Sequence, residues 1–347
     1  MNTNERVLVY GATGHTGRFV VDELLRRGLE PVLAGRDAER LAAGPARYAG
    51  LERRVATADP AGLRRALSGT AAVVNCAGPF LDTALPLARA AVDAGAHYLD
   101  VTAEQPVVQA LYRDLDAPAR SANVAVVPAM AFYGGLADLL VTALLEGRSH
   151  AEVVDVAIGL DRWWPTAGTR VTGVRNTATR LVIRDGVLAP LESPAPFETW
   201  TFDEPLGEQA VVQLPFSEVI TIDRHLEVKE LRSHLNTGSL DELRDADTPA
   251  PEAVDQRGRS AQRFFVDVVA RDGGDVRRAS VSGRDIYAVS APIIVEGVAR
   301  LLDGRHHGSG ACAPGQVFDA ADVLRTLQRD GAIAVRSTRQ SPSKTAA

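Results

Sequence analysis

Cysteine and lysine are both scarce in this chain. Only Cys76 and Cys312 occur among its 347 residues, too few for the disulfide framework of a small secreted domain. Lysine occurs only at Lys229 and Lys344, so 36 of the 38 basic residues are arginines once those two are subtracted. A mechanism that requires a catalytic lysine therefore has very few candidates.

Long apolar runs and excess positive charge are also missing. No run approaches the roughly 18 apolar residues that a membrane helix needs, and no basic start precedes an apolar segment at the N-terminus. The formal net charge of −6 gives no reason to expect a nucleic-acid surface. We expect a cytoplasmic protein with a small-molecule substrate, no membrane span and no nucleic-acid partner.

The first part of the chain alternates short apolar runs with amphipathic segments. Six strands are predicted, at 7–10, 31–34, around 55, at 72–75, 97–101 and 124–127, with helices between them. This alternation with short connections implies right-handed crossovers and a parallel sheet covered on both faces. The pattern predicts an α/β fold whose residues 1–148 form a doubly wound Rossmann domain.

The pattern changes after about residue 150. Residues 181–188 predict a hairpin with an Asp185-Gly186 turn, and 264–281 predict another around 272–275. A second, α+β domain with a largely antiparallel sheet is expected at 149–285. Segment 286–338 is expected to form helices that pack back on the first domain, and 339–347 a disordered tail. The sequence leaves open whether two copies of the chain form a homodimer through the second-domain sheet.

A glycine-rich loop joins the first strand to the first helix. Its residues are Gly11, Ala12, Thr13, Gly14, His15, Thr16 and Gly17. The first glycine permits a sharp turn, the second lets backbone approach a pyrophosphate, and the third lets the helix pack closely on the sheet. The anion would then meet the free N–H groups of the helix N-terminus. This placement predicts dinucleotide binding.

The end of the second strand indicates which dinucleotide is bound. NAD-dependent enzymes usually place an acidic residue there for the ribose 2′-hydroxyl, whereas this chain has Gly35 and Arg36. The guanidinium suits a 2′-phosphate, so we favour NADP(H) over NAD(H). Arg36 could instead be a solvated residue, with Asp37 as the helix N-cap. Asp59, after the third strand, could contact adenine or cap the next helix.

Three further segments follow the fourth, fifth and sixth strands, where ligands lie in such sheets. The cofactor candidates in them are Asn75, Cys76, Ala77, Gly78, Pro79 and Thr102. Small residues at 77 and 78 would let the nicotinamide ribose approach the backbone. Cys76 has no His or Asn partner at a recognisable spacing, which favours a small buried residue over a nucleophile. No spacing typical of a zinc site occurs, and we predict no metal.

These segments resemble those of the saccharopine dehydrogenase-like oxidoreductases, which include the trans-acting enoyl reductases. The chain matches a G-A-T-G-x-T-G loop, a V-x-N-x-A-G-P-F segment at 73–80 and, except at Ala103, an H-Y-x-D-x-T-G-E segment at 97–104. A fourth family segment keeps Pro128, Phe132 and Asp138 but departs at 129, 131, 133, 134, 136 and 137. The resemblance implies an NAD(P)H-dependent reductase of C=C or C=N bonds.

The proton donor for such a reduction is not obvious. Tyr133 is our candidate catalytic residue, and we expect its hydroxyl in the cleft near the nicotinamide and open to solvent. The alternative is an aromatic ring packed under the nicotinamide. Two other functions stay open, an alcohol or aldehyde dehydrogenase and a non-catalytic dinucleotide sensor. None of the six tyrosines has lysine four residues on, which argues against a short-chain dehydrogenase.

Overall fold

The computed structural model describes residues 6–57 and 59–340, which contain two sheets. The first has seven parallel strands in the order β15-β6-β5-β4-β1-β2-β3. The strands are β1 (Arg6–Tyr10), β2 (Glu30–Gly35), β3 (Arg53–Val55), β4 (Ala72–Asn75), β5 (His97–Asp100), β6 (Ala125–Val127) and β15 (Gly310–Ala311). The order reverses after β1, as in a doubly wound fold, so the predicted Rossmann domain is confirmed.

Helices connect these strands and cover the sheet. They are α1 (His15–Arg26), α2 (Ala38–Ala42), α3 (Pro60–Leu67), α4 (Phe80–Asp93), α5 (Gln105–Ser121) and α6 (Ala137–Leu145). Local sequence explains where they begin: α3 starts at a proline after Asp59, whose carboxylate accepts the N–H of Gly62. Because helices cover both faces, strand residues such as Val7, Leu8 and Val9 are completely buried.

The second sheet has the path β10-β11-β12-β7-β13-β14-β16, with the β8–β9 hairpin attached to β12. Its strands are β7 (His150–Leu160), β8 (Leu181–Arg184), β9 (Val187–Pro190), β10 (Phe197–Thr201), β11 (Glu208–Gln213), β12 (Glu227–Asn236), β13 (Arg263–Asp272), β14 (Asp275–Arg284) and β16 (Ile333–Gln340). Only β7 and β12 pair in parallel; the other pairs are antiparallel. The predicted second domain is therefore confirmed in its sheet type.

The 181–188 hairpin forms as predicted. Asp185 and Gly186 both have positive φ angles, +52° and +78°, as the tight turn between two twisted strands requires. The remaining helices are α7 (Ala167–Arg175), α8 (Glu218–Asp223), α9 (Thr237–Arg244), α10 (Ile286–Leu302), α11 (Pro314–Val317) and α12 (Ala320–Arg329).

The C-terminal segment differs from the expectation that 286–338 forms only helices over the Rossmann domain. Helix α10 does pack on α1, but β15 joins the first sheet and β16 extends the second sheet beyond β14. Strand β16 runs to Gln340, so the predicted tail does not begin at 339; residues 341–347 lie outside the described part. The strand forms because β14 offers it an unpaired edge.

Both sheets share one apolar core. It extends from β1 through α6 and α10 to buried residues of β7, β12 and β13. Helix α6 contacts β7, β13 and β14, so the second sheet packs directly on the last helix of the first domain. Within the described ranges, none of the helices has the length and hydropathy needed to span a bilayer.

Candidate active site

A cavity of about 970 Å³ opens at the carboxyl edge of the first sheet. On one side it is bordered by the glycine-rich loop, the end of β2 and the segments that follow β4 and β5. On the other side it is bordered by Trp163, helix α7, Arg180, Phe216 and Tyr287. The cavity therefore joins the predicted cofactor loop to side chains of the second domain.

The glycine-rich loop has the close contacts that its sequence predicted. Gly11 has φ +85°, and a Cβ atom there would lie 2.9 Å from the backbone nitrogen of Ala77. A Cβ atom on Gly17 would lie 2.2 Å from the carbonyl oxygen of Gly11. Gly14 occupies the N-cap position of α1 and offers no side-chain cap. The first N–H groups of α1 are therefore left for an anion.

Most of the predicted cofactor residues border this cavity. They are Gly11, Thr13, Gly14, His15, Thr16, Gly35, Arg36, Cys76, Ala77, Gly78 and Pro79. Arg36 is exposed at the end of β2 and pairs with no carboxylate of the described residues. Asp37 beside it caps α2 by accepting the N–H of Arg40. The helix-capping role thus falls to Asp37, and the guanidinium of Arg36 is left available for an anion.

Five predicted cofactor residues do not border the cavity in the described part of the chain: Ala12, Gly17, Asp59, Asn75 and Thr102. Ala12 and Gly17 belong to the glycine-rich loop and support it on the side away from the cavity. Asp59 accepts hydrogen bonds from Gly62 and Thr57 at the start of α3, so it caps that helix, and its contact with adenine stays a prediction. Asn75 accepts the N–H of Ala77, and Thr102 that of Glu104. These two fix the loops that do border the cavity.

Cys76 lacks the properties of a nucleophile, and Asp100 has a structural role. Burial raises the pKa of the Cys76 thiol, which keeps it protonated and unsuited to nucleophilic attack. Asp100 is fully buried and accepts the N–H groups of Thr102 and Ala129 and the hydroxyl of Tyr98. Burial raises its pKa to about 6. Asp100 therefore holds the exits of β5 and β6 together.

Tyr133 does not meet the expectation of a solvent-open hydroxyl. Its ring borders the cavity, but the hydroxyl is buried and has no hydrogen-bond partner among the described residues. The ring centre lies 4.3 Å from that of Phe216, 4.8 Å from Phe132 and 5.9 Å from Trp163. Burial raises the pKa of the phenol well above its usual value. The surrounding rings shield the hydroxyl from solvent, so Tyr133 contributes its ring to the wall of the cavity.

Glu104 is a site residue that our sequence reasoning did not select. It is buried and borders the cavity; Oε1 accepts the N–H of Phe80 at 3.2 Å, while Oε2 has no partner in the described chain. Burial raises the pKa of this carboxyl to about 7, and the nearby Asp100 also raises it. Its position at the end of the H-Y-x-D-x-T-x-E segment was the signal available in the sequence.

Tyr287 and His15 join the two domains beside the cavity. The phenolic oxygen of Tyr287 accepts hydrogen bonds from Trp163 Nε1 at 3.2 Å and from the N–H of Thr166 at 3.3 Å. Its ring meets the imidazole of His15 edge to face, with the ring centres 5.3 Å apart. Burial lowers the pKa of His15, whose Nε2 is buried without a partner in the described chain. His15 is therefore a neutral imidazole at this junction.

Helix α7 covers the mouth of the cavity. None of its residues is buried, although several of them border the cavity. Its last residue, Arg175, forms an ion pair with Asp82 of α4, with Nη2 3.0 Å from Oδ1. The side chain of Thr172 lies against Gly78, where a Cβ atom would be 3.3 Å from the threonine oxygen. Helix α7 thus spans from the second domain to the predicted nicotinamide loop.

Metal ligation has no support in the described residues, since no group of three or more His, Cys, Asp or Glu side chains there is arranged to hold an ion. The glycine cradle, the free α1 N-terminus and the unpaired Arg36 together fit a phosphorylated dinucleotide.

Comparison with known proteins supports this interpretation. Residues 7–127 match the family described as the saccharopine dehydrogenase NADP binding domain. A probable mitochondrial saccharopine dehydrogenase-like oxidoreductase of Arabidopsis thaliana is 31% identical over 144 residues, which are 36% of this chain and 31% of that protein. A saccharopine dehydrogenase-like oxidoreductase of Homo sapiens is 27% identical over 161 residues, 40% of this chain and 38% of that protein. The matches thus span about a third of the curated relatives.

Among solved structures, an apo saccharopine dehydrogenase (L-Glu forming) of Saccharomyces cerevisiae superposes with a TM-score of 0.71. The alignment covers 97% of this chain and 100% of that one at 12% identity, so it shows the fold alone. The resemblance inferred from the sequence motifs is confirmed for residues 7–127. Residues 7–127 thus match the saccharopine dehydrogenase NADP binding domain, in a chain that has the saccharopine dehydrogenase fold.

Proposed function

We propose that this chain is an NADP(H)-dependent oxidoreductase that reduces a C=C or C=N bond of a small metabolite. The observation that supports the proposal is the single cavity that runs from the dinucleotide loop to the aromatic side chains of the second domain. A dinucleotide sensor needs only the first part of that cavity. An enzyme needs the second part as well, because a substrate must lie beside the nicotinamide.

The chain's own residues would hold the cofactor at three places. The N–H groups at the start of α1 would bind the pyrophosphate, and Arg36 would bind the 2′-phosphate. Ala77 and Gly78 leave room for the nicotinamide ribose beside the end of β4, and α7 covers it from the second domain. The bound cofactor supplies the hydride.

Reduction of a C=C or C=N bond also requires a proton, and we assign its donor to Glu104 rather than Tyr133. A carboxyl with a pKa of about 7 is partly protonated at neutral pH, which suits a general acid. Glu104 borders the cavity where the β4 and β5 loops meet, and its buried Oε2 is left without a hydrogen-bond partner in the described chain. Glu104 would donate its proton to the substrate bond that is reduced, and its carboxylate would then take up a proton again.

The test combines cofactor binding with turnover. Calorimetry should show that the wild-type chain binds NADPH and that Gly14→Val does not, although both have the same circular dichroism and melting temperature. The wild-type chain should then oxidise NADPH when offered a panel of conjugated enones and cyclic imines. Binding of NADPH without turnover of any panel member would favour a sensor, and turnover of ketones alone would favour an alcohol dehydrogenase.

Two further expectations stay predictions: the cytoplasmic location and the homodimer through the second-domain sheet. The outer strand β10, with Phe197 70% exposed, is the edge at which such a dimer would be sought.

A further inference from the structure

Arg180 is an unpaired cation in the wall of the cavity. It directly precedes β8, is half-buried and borders the cavity. One guanidinium nitrogen, Nη1, donates to the carbonyl oxygen of Pro215 at 2.6 Å, and Cζ lies 5.2 Å from the centre of the Phe216 ring. No carboxylate of the described residues forms an ion pair with it, so Nε and Nη2 keep their hydrogen-bonding capacity.

Glu218 acts on the charge of Arg180 through space but forms no ion pair with it in the described chain. Glu218 is completely buried, and its Oε1 accepts hydrogen bonds from the N–H of Phe216 at 2.9 Å and from Ser233 Oγ at 2.5 Å. Burial also raises the pKa of Glu218, which disfavours its charged form. Arg180 stays protonated even though burial lowers its pKa. The cavity therefore contains a positive charge that the protein does not pair.

The position of Arg180 is fixed by an interdomain contact. The side-chain amide of Gln105, at the start of α5, donates to the carbonyl oxygens of Leu181 and Phe216, each at 2.9 Å. Its Oε1 accepts the N–H of Leu181 at 2.7 Å. Both residues next to the guanidinium are thus attached to the first domain. A binding group held in this way loses little entropy when it meets a ligand.

An aromatic wall leads from the cavity to this charge. The rings of Trp163, Tyr133 and Phe216 follow one another with centres 5.9 Å and 4.3 Å apart, and Arg180 lies over the last of them. The wall offers an apolar surface that ends in a guanidinium. Such a surface fits a ligand with an apolar or aromatic body and one anionic end.

We propose that Arg180 binds a carboxylate of the substrate, so that the enzyme acts on an unsaturated carboxylic acid whose apolar body lies on the Trp163–Tyr133–Phe216 wall. This inference rests on the proposed function, because it names the substrate class of the same site. Arg180 lies away from the predicted 2′-phosphate site at Arg36. It is attached near the end of β5, three strands from β2 and Arg36, which is about 14 Å at the usual strand spacing.

The experiment measures binding of matched acids and amides by calorimetry in the presence of NADP⁺. Benzoate is compared with benzamide, and hexanoate with hexanamide. Wild-type protein should bind each acid roughly tenfold or more tightly than its amide, the usual worth of a charge-assisted hydrogen bond. Arg180→Gln should remove that preference while NADPH affinity stays unchanged. Arg180→Lys should retain part of it, because it keeps the charge but loses the forked geometry.

Arg184→Gln is the matched control, since Arg184 is the last residue of β8, lies outside the cavity and pairs with Glu192. It should bind the acids as the wild type does, and all variants should melt alike. The proposal is overturned if acids and amides bind equally, if neither acid binds at millimolar concentration, or if Arg180→Gln keeps the preference. Tighter binding of phenyl phosphate than of benzoate would overturn the carboxylate assignment. Titrations of the same acids and amides without cofactor show whether a negative result comes from Arg180 or from a failure of NADPH binding.

Discussion

The two ends of the cavity are lined by different kinds of residue. The end beside α1 consists of backbone and small residues, where Gly11 and Gly17 approach other backbone atoms so closely that no side chain fits. The end beside the second sheet consists of large side chains, aromatic rings together with Glu104 and Arg180. The first end should be damaged by adding atoms, and the second by removing functional groups. Substitutions of the two kinds can therefore test each end independently.

The largest effect is expected where an atom is added to the cofactor end. Gly17→Ala would place a Cβ atom 2.2 Å from the carbonyl oxygen of Gly11, which forces α1 away from the loop. We expect NADPH affinity to fall by about 100-fold or more, since we propose that the loop and the helix N-terminus bind the pyrophosphate together. Calorimetric titration with NADPH measures this.

Gly50→Ala is the control for that prediction. Gly50 lies in the same domain, and a Cβ atom there has no neighbour within 4 Å. It should leave NADPH affinity and melting temperature unchanged. Wild-type NADPH affinity in Gly17→Ala would show that the close contact of α1 with the loop does not shape the cofactor site.

At the other end, the largest effect should follow removal of the proton donor. Glu104→Gln keeps an oxygen for the N–H of Phe80 but cannot deliver a proton. Turnover should fall by about 100-fold, a usual contribution of general acid catalysis, with NADPH affinity nearly unchanged. Steady-state kinetics with the best substrate of the panel, beside calorimetry, separates the two quantities.

The pH profile gives this prediction a second readout. A general acid acts in its protonated form, so wild-type turnover should decrease as the pH rises through about 7, the pKa to which burial raises Glu104. The decrease should be absent from the residual activity of Glu104→Gln. A variant that retains both the wild-type rate and the wild-type profile would remove Glu104 from the mechanism.

A smaller effect is expected for the 2′-phosphate. Arg36→Ala removes a charged group that no described carboxylate satisfies, so NADPH affinity should fall by about tenfold while NADH affinity barely changes. Arg64→Ala is the control, because Arg64 is exposed on α3 and does not border the cavity. Equal losses for NADPH and NADH in Arg36→Ala would show that Arg36 does not distinguish the cofactors.

The difference between the two ends also explains what could be predicted from the sequence. Glycine spacing after a strand is a local pattern, so the loop and the parallel sheet around it were predictable. The two-residue strand β15 and the edge strand β16 were not, because they form only by pairing with strands distant in sequence. The substrate end depends on tertiary packing in the same way: the burial that sets the pKa of Glu104 and the missing partner of Arg180 have no local signature.

The smallest effect is expected for Tyr133→Phe. Phenylalanine keeps the ring that packs on Phe216 and Trp163 and removes only a buried hydroxyl that has no partner in the described chain. Since the hydroxyl makes no hydrogen bond and burial raises its pKa, its loss should leave turnover and NADPH affinity near wild type. Tyr133→Leu, which removes the ring, should weaken binding of benzoate because the aromatic wall is interrupted. A loss of turnover near 100-fold in Tyr133→Phe, as general acid catalysis would produce, would instead restore Tyr133 as the proton donor and displace Glu104 from that role.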